Sequence, residues 1–315
     1  MAPGQRALVF AISAVLLWST VATAFKITLE YLSPLHMVAI ASSVSWAVFM
    51  AIVWHQGLLP SARAEWRSAP WLYVLMGLIN PALYYWILFA AYALLPASQA
   101  QPLNYTWAIA LTFMAAIFLR QRIRKRDYVA AALGYAGVLV IATKGNVSGF
   151  FSAMQSPLGV ALALLSTLLW ATYWIINTRR TCSPVISLWL GFSVSLPVLW
   201  AAVWLLEGAS FFTHAAGVPW QGWLAVTYVG LFEMGVTFLL WLKAMREADN
   251  VALISNLIFI SPFISLLLLA SIIGETIYPA TVFGLCMIII GLLVQRLALK
   301  SWLPPKRWRG KKSEF

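Results

Sequence analysis

Few side chains in this sequence could do chemistry, and most lie where a lipid-embedded chain would not need them. The stretch SQAQPLNYTWAIAL, residues 98–111, runs into a long apolar segment yet holds Ser98, Gln99, Gln101, Asn104, Tyr105, Thr106 and Trp107. Similar residues recur at helical spacing (i, i+3, i+4, i+7) in other apolar segments. One stripe is Gly77, Asn80, Tyr84 and Leu88; others are Asn104, Trp107 and Ala108, and Ser166, Trp170, Tyr173 and Asn177. Two more are Gly230, Glu233, Thr237 and Trp241, and Ser255, Asn256, Phe259 and Phe263, while Trp18 is central in the first apolar run. Indole and phenol rings offer stacking area and cation–π attraction for an ammonium group. Asn amides and Tyr hydroxyls offer oriented hydrogen bonds, so the set suits a wet cavity for a ligand part apolar and part polar. The competing explanation is helix–helix packing by large aromatics whose N–H and O–H groups are satisfied across an interface.

Glu233 is the one acid near the centre of an apolar segment. Intramembrane ionisable groups are costly and usually functional, so it could attract a substrate ammonium or carry a proton; a structural hydrogen bond is the alternative. Catalysis finds little support. His36, His55 and His214 fall at segment ends or in loops, and there is no H-E-x-x-H, phosphate-binding glycine loop or nucleophile elbow. Cys182 and Cys286 are far apart and lack metal spacing. No metal or organic cofactor is implied.

The elements that must position these residues are membrane helices. Apolar residues make up 62% of the chain and charged residues 10%, with mean hydropathy +0.85; a soluble domain is nearer half apolar and a quarter charged. The net charge of +12 is therefore read against loops, and no nucleic-acid partner is expected. At about 20 apolar residues per span, ten spans are predicted, centred near Ala14, Ser45, Ala82, Ala108, Tyr135, Leu168, Phe192, Leu231, Ser261 and Ile288. The first, about Ala7 to Ala24, reads as a membrane helix rather than a cleaved signal. With the N-terminus inside, all of the 21 Lys and Arg except Lys26 and Lys144 fall on the inner side, which predicts cytoplasmic termini. Lys26 and Glu30 are expected on a solvated face at the outer mouth. The basic tail PPKRWRGKK either binds anionic lipid headgroups or simply anchors the inner side. Gly284 with Gly291, and Ala130 with Gly137, predict close helix packing, within the chain or between chains.

The second half echoes the first. AVLLWSTVAT (14–23) matches STLLWATYWI (166–175), pairing Trp18 with Trp170; Ser33-Pro34 matches Ser183-Pro184; Gly77 and Asn80 align with Gly230 and Glu233; Asn104 and Trp107 fall near Asn256 and Phe259. Five spans per half place the second half upside down in the membrane. Inverted repeats are an architecture of secondary transporters, with the substrate site near the midplane. The expected organisation is a first five-helix repeat at 1–143, an external linker at 144–156, an inverted repeat at 157–298 and a basic cytoplasmic tail at 299–315.

With these features the chain resembles the drug/metabolite transporter superfamily, in its EamA-type branch of ten-helix carriers, over about residues 6–298. The resemblance is carried by the LLW motifs at Trp18 and Trp170, the Ser-Pro starts, Gly274-Glu275 and Gly291. QPLNYTWAIAL is similar to the fourth-span signature of YddG-type amino-acid exporters. That resemblance implies export of aromatic and other neutral amino acids across a bacterial cytoplasmic membrane, through a cavity lined by Tyr84, Tyr105, Trp107 and Trp170. Two departures stand out: the basic run Arg120–Arg126 replaces an acid common after span four, and Ala108 stands where such exporters often have Pro.

The sequence thus predicts an all-α, monomeric, non-enzymatic carrier in the lipid bilayer with an amino acid as its small-molecule substrate. The substrate-binding candidates are Tyr84, Tyr105, Trp107, Trp170, Asn80, Asn104, Asn256, Tyr173 and Trp18, with Glu233 a charge or proton site. The alternatives are a proton-coupled exporter of cationic drugs or quaternary amines, and a membrane-integral enzyme or assembly factor.

Overall fold

Apolar runs ended by Ser-Pro, Gly and basic connections fold as helices in the computed structural model, which describes residues 3–146, 154, 156–177, 182–248, 254 and 256–297. No strand occurs among them. The helices are α1 (Pro3–Tyr31), α2 (Pro34–His55), α3 (Leu59–Ser68), α4 (Pro70–Leu94), α5 (Ala97–Leu119) and α6 (Lys125–Ala142). They continue as α7 (Pro157–Asn177), α8 (Pro184–Glu207), α9 (Ser210–Gly217), α10 (Trp220–Met245), α11 (Leu257–Ile273) and α12 (Pro279–Leu297). Ser33 shows why the boundaries fall where they do. Its side chain accepts the His36 N–H at 3.3 Å, and Pro34 occupies a first-turn position where no amide is missed.

Seven of these helices, α1, α2, α4, α5, α7, α8 and α10, are long and apolar enough to cross a membrane. The sequence predicts ten. The other three expected spans are present as α6, which opens on Lys125, Arg126 and Asp127, and as the shorter apolar α11 and α12. Trp54, Trp71 and Trp220 are exposed at helix ends, where an indole suits the interface between lipid and water. Trp302, Trp308, Ser255, the whole basic tail and most of the 144–156 linker lie outside the described residues.

Helix contacts cross between the two halves of the chain. The first helix, α1, packs on α10 and α11, while α7 packs on α4 and α5. Further extensive pairs are α2 with α8, α4 with α8, and α6 with α12. Small residues allow these approaches. A methyl at Gly77 (α4) would come 2.5 Å from the Gly191 carbonyl oxygen (α8), and one at Gly230 (α10) 2.6 Å from that of Ala41 (α2). Ala41 and Gly191 hold the same place counted from the Ser-Pro starts of α2 and α8. Ser43 and Ser193 do likewise, and each accepts an indole N–H from the facing helix: Trp200 to Ser43 at 3.1 Å, Trp46 to Ser193 at 2.8 Å. Gly137 and Gly284 meet back to back between α6 and α12, where a methyl on either would lie within 2.6 Å of the other's carbonyl oxygen. Those glycines serve packing inside one chain.

Three long helices are interrupted beside their polar residues. α4 widens into a π-type turn at Leu78–Leu83, with Asn80 in extended conformation (φ −141, ψ 120). α10 does so at Val229–Glu233, followed by Gly235 at φ −119, ψ −101. α5 breaks after Tyr105, where Thr106 closes one helical segment and opens the next. Such interruptions free backbone groups from the regular ladder, which is tolerated in a membrane protein only against protein or water.

Candidate functional site

Because α7 lies against α4 and α5, Trp170 meets rings from both. It stacks on Tyr84 (centroids 4.7 Å apart, planes 29°) and on Tyr173 of its own helix (5.7 Å, 24°). Trp107 presents an edge to it at 6.4 Å and 85°, and Phe238 of α10 approaches at 6.1 Å. Polar groups thread this cluster. Asn104 Nδ2 donates to Ser166 Oγ at 3.0 Å, and the Tyr84 hydroxyl donates to Asn104 Oδ1 at 3.5 Å. Asn80 is buried beside the Tyr173 hydroxyl. Tyr85 donates to Glu233 Oε1 at 3.3 Å, so a carboxyl from α10 is tied to the tyrosine pair of α4.

A cavity of about 350 Å³ opens beside this cluster. Its walls include Tyr105, Trp107, Thr112, Trp174, Phe259 and Gln295, and it runs along α5 toward Leu119 and Gln121. Gln295 Nε2 donates to Thr112 Oγ1 at 2.7 Å across it. Pockets for small ligands are mostly apolar, with a few fixed polar groups and volumes of roughly 300–1,000 Å³; this one matches in size and lining. A wider, open depression of about 780 Å³ lies elsewhere, bordered by Glu30, His36, Glu207 and His214, and shares no residue with the rings.

The structure thus groups Tyr84, Trp107, Trp170 and Tyr173, with Asn80 and Asn104 beside them and Tyr105 on the adjoining cavity wall. One candidate, Trp18, lies in a different helix contact. Trp18 packs against Phe238 and Trp241 in the contact of α1 with α10, and Phe238 in turn meets Trp170. Asn256 is exposed just before α11. Lys26 also differs from expectation: it is half-buried and donates to two backbone carbonyls, while Glu30 is exposed.

Several site residues escaped the sequence stripes. Tyr85 is one position off the Tyr84 stripe, and the widened turn before it breaks the register on which such stripes depend. Phe238, Trp174, Thr112 and Gln295 enter because of which helices become neighbours. The clue for Gln295 was an uncharged polar residue inside an apolar run.

Comparison with known proteins gives this geometry a context. An aromatic amino acid exporter, YddG, from Ancylobacter novellus is 27% identical over 260 residues, covering 82% of this chain and 85% of that protein. An uncharacterized transporter of Clostridium kluyveri is 26% identical over 204 residues, 63% of each chain. The uncharacterized inner membrane transporter YedA of Escherichia coli K12 is 26% identical over 186 residues, covering 58% of this chain and 56% of that one. A protein of known crystal structure shares the fold with a TM-score of 0.60 at 24% identity, covering 94% of this chain and 98% of its own. The apolar helices and these relatives make this a multi-pass inner-membrane protein. Residues 5–143 and 157–296 both match the EamA-like transporter family, and the chain belongs to that family within the drug/metabolite transporter superfamily.

Proposed function

We propose that this protein is a secondary carrier exporting aromatic and other neutral amino acids by alternating access. In this proposal it is a monomer of ten spans in two inverted halves, 1–143 and 157–298, with both termini in the cytoplasm, and it performs no catalysis. The observation that carries the proposal is the 350 Å³ cavity walled by Tyr105, Trp107, Trp174 and Phe259 beside the Tyr84–Trp170–Tyr173 stack. Support for the inverted halves comes from the crossed contacts: α1 rests on the second half as α7 rests on the first, and the Gly77 and Gly230 approaches mirror each other. The one-sided Lys/Arg distribution supports the orientation. The exporter of A. novellus supports the substrate class.

An amino acid would lay its ring or aliphatic side chain on Trp107, where dispersion and the hydrophobic effect favour it. Its ammonium would face aromatic π-clouds and the carbonyl oxygens of Asn104 or Gln295. Its carboxylate would take N–H or O–H donors from Asn104, Gln295 or Tyr105. Rocking of one half against the other would then expose the cavity to each side in turn.

A second proposal is favoured by one observation. Glu233 keeps part of its surface accessible at mid-helix while bound by Tyr85, an arrangement that would also hold an organic cation. Purified protein in liposomes loaded with radiolabelled amino acids, followed with and without a pH gradient, tests both. Efflux of aromatic or neutral amino acids that Trp107→Ala and Trp170→Ala abolish supports the first. No amino-acid efflux from folded wild type, with efflux of a quaternary amine, replaces it with the second.

A further inference from the structure

Two charged side chains from different parts of the chain grip one turn. Lys26 of α1 donates from Nζ to the carbonyls of Tyr92 (3.0 Å) and Leu95 (3.1 Å), where α4 ends. Glu275, in the connection from α11 to α12, accepts the backbone N–H groups of Ala97 (3.1 Å) and Ser98 (2.8 Å), the first residues of α5. A helix ends on unpaired carbonyls with partial negative charge and begins on unpaired amides with partial positive charge. At Leu95-Pro96 both ends meet a full charge of the favourable sign. Lys144 lies 4.7 Å from the Tyr278 ring and ties the same connection to the end of α6. Of the two cations that break the one-sided Lys/Arg pattern, Lys26 is fixed at this turn and Lys144 at the connection that carries Glu275.

The far end of α5 is built differently. Arg120 closes α5 at φ 54, as Gly274 closes α11 at φ 73. The residue that follows is Gln121 in one case and Glu275 in the other. Gln121 has no charge and lines the cavity. The turn is clasped by charge at one end of α5 while the cavity runs toward the other.

We propose that Lys26 and Glu275 are positioning residues for transport. They hold the α4–α5 turn shut at the outer end and release it when the carrier opens outward. This rests on the alternating-access proposal above. Because α4 and α5 carry Tyr84, Asn104, Tyr105 and Trp107, displacement of their shared turn moves the walls of the cavity.

The test places a thiol beneath the clasp. Gln101→Cys, at a buried position of α5, is reacted in nanodiscs with a sulfonated maleimide, and labelling is resolved by site with native Cys182 and Cys286 as internal references. Glu275→Gln and Lys26→Met are each expected to raise the rate at position 101 about tenfold, as loss of a hydrogen bond to a charged group implies, with no rise at the native cysteines. An unchanged rate at 101, or an equal rise at all three sites, overturns the clasp. If Glu275→Gln does not fold, Glu275→Asp keeps the charge with a shorter reach and is read in the same way. Labelling needs no substrate, so a wild type that moves no amino acid would refute the amino-acid proposal while the clasp result stood by itself.

Discussion

Trp107→Ala should weaken binding of an aromatic amino acid far more than it weakens the fold. Trp107 is half-buried, lines the cavity and meets Trp170 only by an edge at 6.4 Å. A ligand ring lying on its indole would gain about 1 kcal/mol from the ring pair. Covering some 50 Å² of apolar area at about 25 cal/mol per Å² adds about 1 kcal/mol. Losing about 2 kcal/mol raises Kd about 30-fold. Equilibrium binding of radiolabelled tryptophan to purified protein measures this, with the thermal midpoint in detergent recorded beside it. Trp107→Phe retains a ring and should recover most of the affinity, whereas Trp107→Leu should not. A folded Trp107→Ala protein that binds tryptophan as tightly as wild type would refute the cavity assignment. Equal behaviour of the Phe and Leu variants would refute the stacking explanation while leaving the location intact.

Trp170 is buried and stacked on Tyr84 and Tyr173, so Trp170→Ala should cost the fold about 3–5 kcal/mol, seen as a markedly lower thermal midpoint together with lost transport. Glu233→Gln keeps an acceptor for the Tyr85 hydroxyl and should spare efflux of aromatic amino acids; selective loss of quaternary-amine efflux would instead favour the cation proposal. Ser193→Ala leaves the Trp46 indole N–H without its acceptor, and about 1–3 kcal/mol of stability should go with it, read as a lower melting midpoint that Ser193→Thr restores. Gly137→Leu puts a side chain where even a methyl would stand 2.5 Å from the Gly284 carbonyl oxygen. Forcing α6 and α12 apart should cost at least the 1–3 kcal/mol of an overpacked core, measured in the same melts.

Much of the helical layout was legible in the sequence, for an identifiable reason. In lipid every backbone amide and carbonyl must be paired within its own helix or barrel, so long apolar runs between Ser-Pro, Gly and basic breaks leave little choice of local structure. Each predicted span centre, from Ala14 to Ile288, falls inside a helix. Among the described residues seven helices are long and apolar enough to span; α6 starts on charged residues and α11 and α12 are shorter apolar helices, so the count of ten belongs to the proposal. The polar stripes were legible because Asn, Tyr and Trp are conspicuous in apolar runs. Their grouping was not, because a stripe at 3.6-residue spacing assumes an unbroken helix, and α4, α5 and α10 are interrupted beside their polar residues.

The sequence by itself determined the solvent this chain prefers, the local helical conformation and the presence of amides and rings at depth, since each follows from the chemistry of a short run of residues. Only the tertiary structure decided that Trp170 would stack on Tyr84, that Tyr85 would hold Glu233, and that Trp18 would pack in the contact of α1 with α10. It also decided that Lys26, expected on a solvated face, would join Glu275 at the ends of α4 and α5. Those outcomes depend on which helices become neighbours and at what rotation. Small residues far apart in the chain, such as Gly77 against Gly191 and Gly137 against Gly284, set that closeness through contacts that no local pattern of hydropathy encodes.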